Sequence, residues 1–190
     1  MEIAIYLIIG VIAGIVVWQL YIWITENQFK NKQCRAALNY CREKGKMLLV
    51  AGGPWGGRKF RLMLHRPAHI PGDVCIDIRA SALVGHPNGI VANVMNLPFR
   101  DKTFGAVLAS HLLEHLNTIE EAEKALDEMS RVADAVIIVY PYRQSLIAWL
   151  LPDHHLWIQQ KNNQIYIFQR RNNNKQKQVD RYELNCITFK

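Results

Sequence analysis

Between Ile3 and Ile24 the sequence IAIYLIIGVIAGIVVWQLYIWI carries no charged side chain. At ~1.5 Å of rise per residue, roughly 22 such positions form a helix of about 33 Å, long enough to cross a bilayer. A cleaved signal peptide starts with positive charge, has a shorter apolar region and ends in a small-x-small site, whereas this stretch begins Met1-Glu2 and closes on Trp18, Tyr21 and Trp23. Those rings match an interfacial aromatic belt, so residues 1–26 read as a transmembrane anchor. Lys30, Lys32, Arg35, Arg42, Lys44 and Lys46 come after it, against Glu2 alone on the other side. The positive-inside bias therefore places the bulk of a single-pass protein in the cytoplasm. Gly10 and Gly14 form a GxxxG pair, a spacing that lets a partner transmembrane helix approach closely, although a plain anchor is the simpler reading.

Residues 27–45 continue as a helix-permissive basic segment, ending at Gly45, that either rests on lipid headgroups or forms the first helix of the domain beyond it. With 190 residues in all, the remainder (46–190) holds one full core and no second ordinary domain. The net charge of +7 suits anionic membranes, nucleic acid or acidic substrates alike. Cys34, Cys41, Cys75 and Cys186 show no CxxC spacing, which argues against a zinc ribbon or a disulfide framework.

Within 46–190, short apolar runs alternate with helical patterns. Met47–Ala51 reads as a buried strand running straight into Gly52-Gly53-Pro54-Trp55-Gly56-Gly57, a turn that lets backbone approach a ligand. Arg58–His65 reads as a short helix. Val74–Ile78 is a second strand carrying one carboxylate, Asp77, some twenty residues after the glycine turn, where ribose hydroxyls are held in nucleotide-binding folds, the alternative being a loop-facing acid that caps a helix. Ala80–His86 is helix-like and Ile90–Val94 a third strand. Pro98 and the charges of Arg100-Asp101-Lys102 make a turn, Phe104–Ala109 a strand buried on both faces, and Ser110 and His111 stand at its ligand-binding end. Thr118 opens a capping box with Glu121, and Ile119, Ala122, Leu126, Met129 and Val132 share a helix face. Ala135–Tyr140 is the next strand, succeeded by an apolar helix in RQSLIAWLLP that lines a pocket or touches the bilayer. Trp157–Gln160 and Gln164–Arg170 read as a hairpin, and Tyr182–Phe189 as a last strand. The order implies a Rossmann-like α/β three-layer sandwich, mostly parallel with an antiparallel edge.

The segment NLPFRDKTFGAVLASHLLEHL resembles the corresponding motif of class I S-adenosylmethionine-dependent methyltransferases of the type 11 group. LLVAGG is similar to the family's glycine motif, CIDI to its second-strand acid, and RVADAVIIVYP to its fifth strand. The resemblance covers about Met47 to Ile158 and implies S-adenosylmethionine as cofactor. It places Gly52, Gly53 and Gly56 beside the methionine part, Asp77 on the ribose, and Asn93, Val94 and Met95 around the adenine. Ser110 and His111 would border cofactor and substrate. Val50 stands where the family has an acid at the end of its first strand, Asn93 where it has an aspartate, and Gly105 where it has the aspartate of its Phe-Asp pair.

Methyl transfer needs alignment, exclusion of water and, for a hydroxyl or acidic carbon, removal of a proton. His155, in Pro-Asp-His-His after the fifth strand, is the candidate base, against a helix-ending polar pair with no chemistry. His111 and His115 share a metal-like i, i+4 spacing, but HLLEH is not HExxH and no third ligand is placed, so no metal is expected. The Arg170–Lys177 loop lacks interleaved aromatics, and no nucleic-acid partner is expected. Two readings stay open: a membrane-anchored methyltransferase acting on a small or lipid-soluble acceptor, and a catalytically degenerate relative serving as a structural or assembly subunit of a membrane complex.

Overall fold

The computed structural model describes residues 2–52, 72–161, 164–170 and 176–179, the last four by backbone alone. Gly53, Gly56, the Arg58–His65 segment and the Tyr182–Phe189 strand lie outside them. A single helix, α1 (Glu2–Lys44), runs without a break at Glu26. It stops because Gly45 adopts φ +61°, with Gly45 N–H donating to Arg42 O and Lys46 N–H to Cys41 O, closing the last turn in the manner a left-handed glycine allows.

Five strands make a parallel sheet: β1 (Met47–Ala51), β2 (Val74–Asp77), β3 (Gly89–Val91), β4 (Phe104–Ser110) and β5 (Ala133–Val139), in spatial order β3-β2-β1-β4-β5. The strand order reverses between β1 and β4, which makes their carboxyl ends the expected ligand crevice. Alternation along the strands sorts the core. Leu48, Val50, Ala106, Leu108, Ala135, Ile137 and Val139 face one side with Ala37 and Cys41 of α1. Leu49, Ala51, Val107, Ala109, Val136 and Ile138 face the other, against the buried stripe of α2 (Ile119–Val132). The cap of α2 is as the sequence implies, the Thr118 side chain accepting from Glu121 N–H while Glu121 accepts from Asn117 N–H.

The chain beyond β5 forms a short helix, α3 (Leu146–Leu150), and three antiparallel strands, β6 (Leu156–Lys161), β7 (Gln164–Gln169) and β8 (Gln176–Val179). These strands are antiparallel, yet they form a sheet of their own, order β6-β7-β8, and do not extend the edge of the parallel one. The β6–β7 hairpin has one apolar face, Leu156, Ile158, Ile165 and Ile167, which joins the α2-side core. Face-on packing buries those side chains where edge pairing would leave them in water.

The docking of α1 explains one departure from the methyltransferase motif. A Cβ on Gly105 would stand 3.0 Å from Cys41 Sγ and 3.1 Å from Lys46 Cβ. Glycine there lets α1 lie close on β4, where a larger residue would have to push Cys41 or Lys46 aside.

Candidate cofactor and active site

The crevice between the ends of β1 and β4 is built by a close passage of backbone. Gly52 adopts φ +100°, and a Cβ on it would lie 2.6 Å from the Ser110 carbonyl oxygen and 3.0 Å from Leu112 Cβ. Only glycine fits. Its N–H donates to Ile76 O of the neighbouring strand, so the chain leaving β1 is pinned across the β2 and β4 ends.

Asp77, half-buried at the end of β2, accepts from Arg79 N–H at 2.8 Å through Oδ1. An ionised carboxylate has about four acceptor positions, leaving capacity for vicinal hydroxyls. Asn93 is exposed, and its Oδ1 accepts from Met95 N–H at 2.9 Å, closing a turn that also pairs Asn96 N–H with Asn93 O. Asparagine therefore shapes this loop as an aspartate would. Val94 turns into the core and Met95 packs at its margin. Val50 lies buried on the α1 side of the sheet.

At the end of β4 the polar groups are packed tightly and poorly satisfied. Ser110 is buried and its hydroxyl has no hydrogen-bond partner among the described residues. His111 takes φ +50°, an unusual state for a non-glycine residue costing about 1–2 kcal/mol, held by its N–H donating to Val139 O. Its Nδ1 stands 3.2 Å from Glu114 Oε1, within ion-pair distance but out of line for a hydrogen bond. Glu114, in a 3-10 turn over Leu113–His115, is 0% exposed, and neither carboxylate oxygen has a hydrogen-bond partner among the described residues.

The segment before β6 completes this cluster. His155 N–H donates to Glu114 O at 2.7 Å and Arg170 N–H to His155 O at 2.9 Å, clamping both neighbours in place. That clamp points His154 inward. His154 is buried, its Nδ1 unpartnered among the described residues, its ring edge-on to His115 at 4.8 Å between centroids. Burial lowers the His154 pKa below the usual histidine value, an effect that the Glu114 charge opposes and His115 reinforces. The ring is accordingly neutral at pH 7. His155, half-buried, contributes backbone bonds to the clamp.

Ligand atoms of Glu114, His115 and His154 lie within 4.8 Å of one another, a group that takes His115 from the i, i+4 pair and leaves His111 out. Zinc bonds of about 2.0–2.2 Å hold two donors at most ~4.4 Å apart, so the cluster would have to contract to hold an ion. His115 Nδ1 also faces Asp153, 3.2 Å from its carbonyl oxygen and 3.3 Å from Oδ2. Of the pair in Pro-Asp-His-His, the sequence favours His155 over His154, and nothing in its spacing marks Glu114. The available signal was a carboxylate standing between Leu113 and His115 in an otherwise apolar stretch.

Residues 64–135 match the family model described as a methyltransferase domain. That stretch is methyltransferase-like. A protein of Encephalitozoon cuniculi described as a putative methyltransferase is 32% identical over 94 residues, covering 49% of this chain and 41% of that protein. An uncharacterized protein of Methanocaldococcus jannaschii is 41% identical over 61 residues, 30% of this chain and 25% of its own length. The chain thus spans less than half of either relative. A crystal structure of a Pyrococcus horikoshii protein superposes with a TM-score of 0.42 at 16% identity, over 80% of this chain and 75% of that one.

Proposed function

We propose that the chain is an S-adenosylmethionine-dependent methyltransferase, anchored in a membrane by α1 and acting on a small or lipid-soluble acceptor. The observation that carries this reading is the Gly52 passage over Ser110 beside Asp77, at the strand-order reversal of a methyltransferase-like sheet. The cofactor supplies a methyl group on a sulfonium, and the residues present fit it. Asp77 retains acceptor capacity for the ribose, the Ser110 hydroxyl has no hydrogen-bond partner among the described residues, and Gly52 lets the chain leaving β1 pass against Ser110 beside both. The protein's remaining tasks are alignment, water exclusion and proton removal. His154, neutral and with a free Nδ1 among the described residues, is better placed than His155 to accept the acceptor's proton, with Glu114 able to stabilise the imidazolium.

Membrane anchorage is supported by the exposed apolar surface of α1 from Ile3 to Trp18 and by the basic residues beyond it, which favour a cytoplasmic domain. The rival reading, a degenerate assembly subunit partnered through Gly10 and Gly14, draws on Val50, Asn93 and Gly105. Two of these serve local structure here: Gly105 admits α1 and Asn93 closes its own turn. Calorimetric titration of the detergent-solubilised full chain with S-adenosylmethionine separates the readings. Micromolar binding is expected, and no heat at millimolar cofactor would remove the enzyme reading.

A further inference from the structure

The apolar part of α1 divides in two. From Ile3 to Trp18 its hydrophobic side chains are exposed throughout. From Gln19 onward one face docks on the domain through Gln19, Ile22, Glu26 and Phe29, the three- and four-residue spacing of a helix stripe. The docking partner is the loop carrying α3. Gln19 Nε2 donates to Gln144 O at 3.1 Å and Gln19 Oε1 accepts from Leu146 N–H at 2.9 Å, while Glu26 Oε1 accepts from Tyr142 N–H at 2.6 Å. The first turn of α3 is thus fixed beside the middle of the apolar stretch.

Length then becomes decisive. About 16 residues, Ile3–Trp18, give ~24 Å of helix, short of the ~30 Å hydrocarbon core. A bilayer that α1 spans must reach past Gln19 towards Ile24, along the outward face of Leu20, Tyr21, Trp23 and Ile24, all exposed. Whatever is bonded to Gln19 is carried into the membrane boundary with it.

The surface of α3 suits that position. Leu146, Ile147, Trp149, Leu150 and Leu151 are all exposed, Ile147 at 62% and Leu150 at 81%. This patch would be costly in water, and it adjoins α1 where Gln19 bonds to Leu146. Its polar groups are already satisfied: Trp149 Nε1–H donates to Arg143 O at 2.6 Å, and Arg170 donates to the carbonyl oxygens of Trp149, Leu151 and His154 at the end of the helix. Arg143 lies over the Phe168 ring and Arg170 over that of Trp149, so cations of the kind that meet lipid phosphates stand beside the patch.

We propose that α3 is a second membrane contact, immersed in the interfacial layer beside α1, so that the domain lies against the bilayer instead of hanging from a tether. This rests on the reading of α1 as a membrane span. Leu151 is succeeded directly by Pro152, Asp153 and His154. The histidine cluster therefore lies close to the headgroup layer, and the acceptor class this implies is an amphiphile presented from the membrane, with its reactive polar end at the surface.

The test uses the full chain in liposomes of mixed neutral and anionic phospholipid, with Cys34 and Cys186 replaced by serine. Single cysteines introduced as Ile8→Cys, Leu150→Cys or Lys124→Cys carry a nitroxide, and collision with oxygen and with a water-soluble nickel chelate is compared by power saturation. Residues 8 and 150 are expected to favour oxygen several-fold over residue 124, which lies on α2. Immersion of residue 8 with an aqueous residue 150 overturns the proposal and leaves the anchor standing. An aqueous residue 8 removes the anchor reading, and the proposal with it.

Discussion

The two ends of β4 are built on opposite terms. At the amino end, the charged groups find partners. Arg131 donates to Glu128, Asp101 and the carbonyl oxygens of Leu97 and Phe99, latching the Leu-Pro-Phe-Arg-Asp turn to α2. Those bonds hold the Glu128 carboxyl below its usual pKa and raise that of the Arg131 guanidinium. Lys46 pairs with Asp134 at 2.7 Å, and Lys102 reaches the carbonyl oxygens of Ser130 and Ala133. At the carboxyl end, Ser110 Oγ, both Glu114 oxygens and His154 Nδ1 are buried without hydrogen-bond partners among the described residues. A buried polar group left unpaired costs about 1–3 kcal/mol. Among the described residues, one end is organised for stability and the other holds polar groups without hydrogen-bond partners, so the carboxyl end is where the proposed cofactor or the rest of the chain would supply them.

That contrast can be broken by substitution. The largest effect belongs to Asp77→Ala, which should weaken S-adenosylmethionine about 100-fold, the ~2.7 kcal/mol expected for charge-assisted bonds to ribose, with little change in thermal midpoint. An unchanged titration would detach Asp77 from the cofactor. Next is Gly105→Asp, restoring the family residue. Forcing its Cβ against Cys41 should destabilise the fold by about 1–3 kcal/mol in urea unfolding, and a neutral result would refute the packing account of that glycine. Glu114→Leu at the carboxyl end should raise stability by about 1–3 kcal/mol while lowering methyl transfer; a loss of stability would show that the carboxylate is paired after all. Arg131→Ala at the amino end should do the reverse, lowering the midpoint without altering cofactor affinity.

The smallest effect is in pH. His154 has its folded pKa below 6.5, its unfolded value, so the unfolded chain binds more protons in the window between them and stability rises with pH there. The contribution is complete above about pH 6.5 and is lost as pH falls towards the lowered folded value. Methyl transfer dependent on a neutral His154 should fade on the same acid side. His154→Gln should remove that stability slope, measured by unfolding at pH 5 to 7, and a slope that persists would assign it elsewhere.

The difference between the ends also marks what the sequence could reveal. The amino end obeys local rules: the fixed φ of Pro98, the charge run behind it, the apolar run Phe104–Ala109 of β4 and the Thr118 cap are each determined by a few consecutive residues. The parallel order of the sheet comes from alternating strands and helices. What stayed hidden depends on distant partners. His154 meets Glu114 only because β6 returns over the end of β4, and the apolar face of the terminal hairpin reveals that it must be buried without revealing against what. The docked half of α1 is obscured by its own composition, since a stretch apolar enough to cross a membrane and a domain helix coincide in one continuous element.

The most direct measurement is hydrogen exchange of the full chain with and without S-adenosylmethionine, read by mass spectrometry. Slowed exchange at residues 49–52, 76–79 and 110–115, with residues 97–104 and 128–134 unchanged, is the predicted result. Protection centred on the amino end of β4, or none at saturating cofactor, would contradict the division of β4 into a structural end and a binding end.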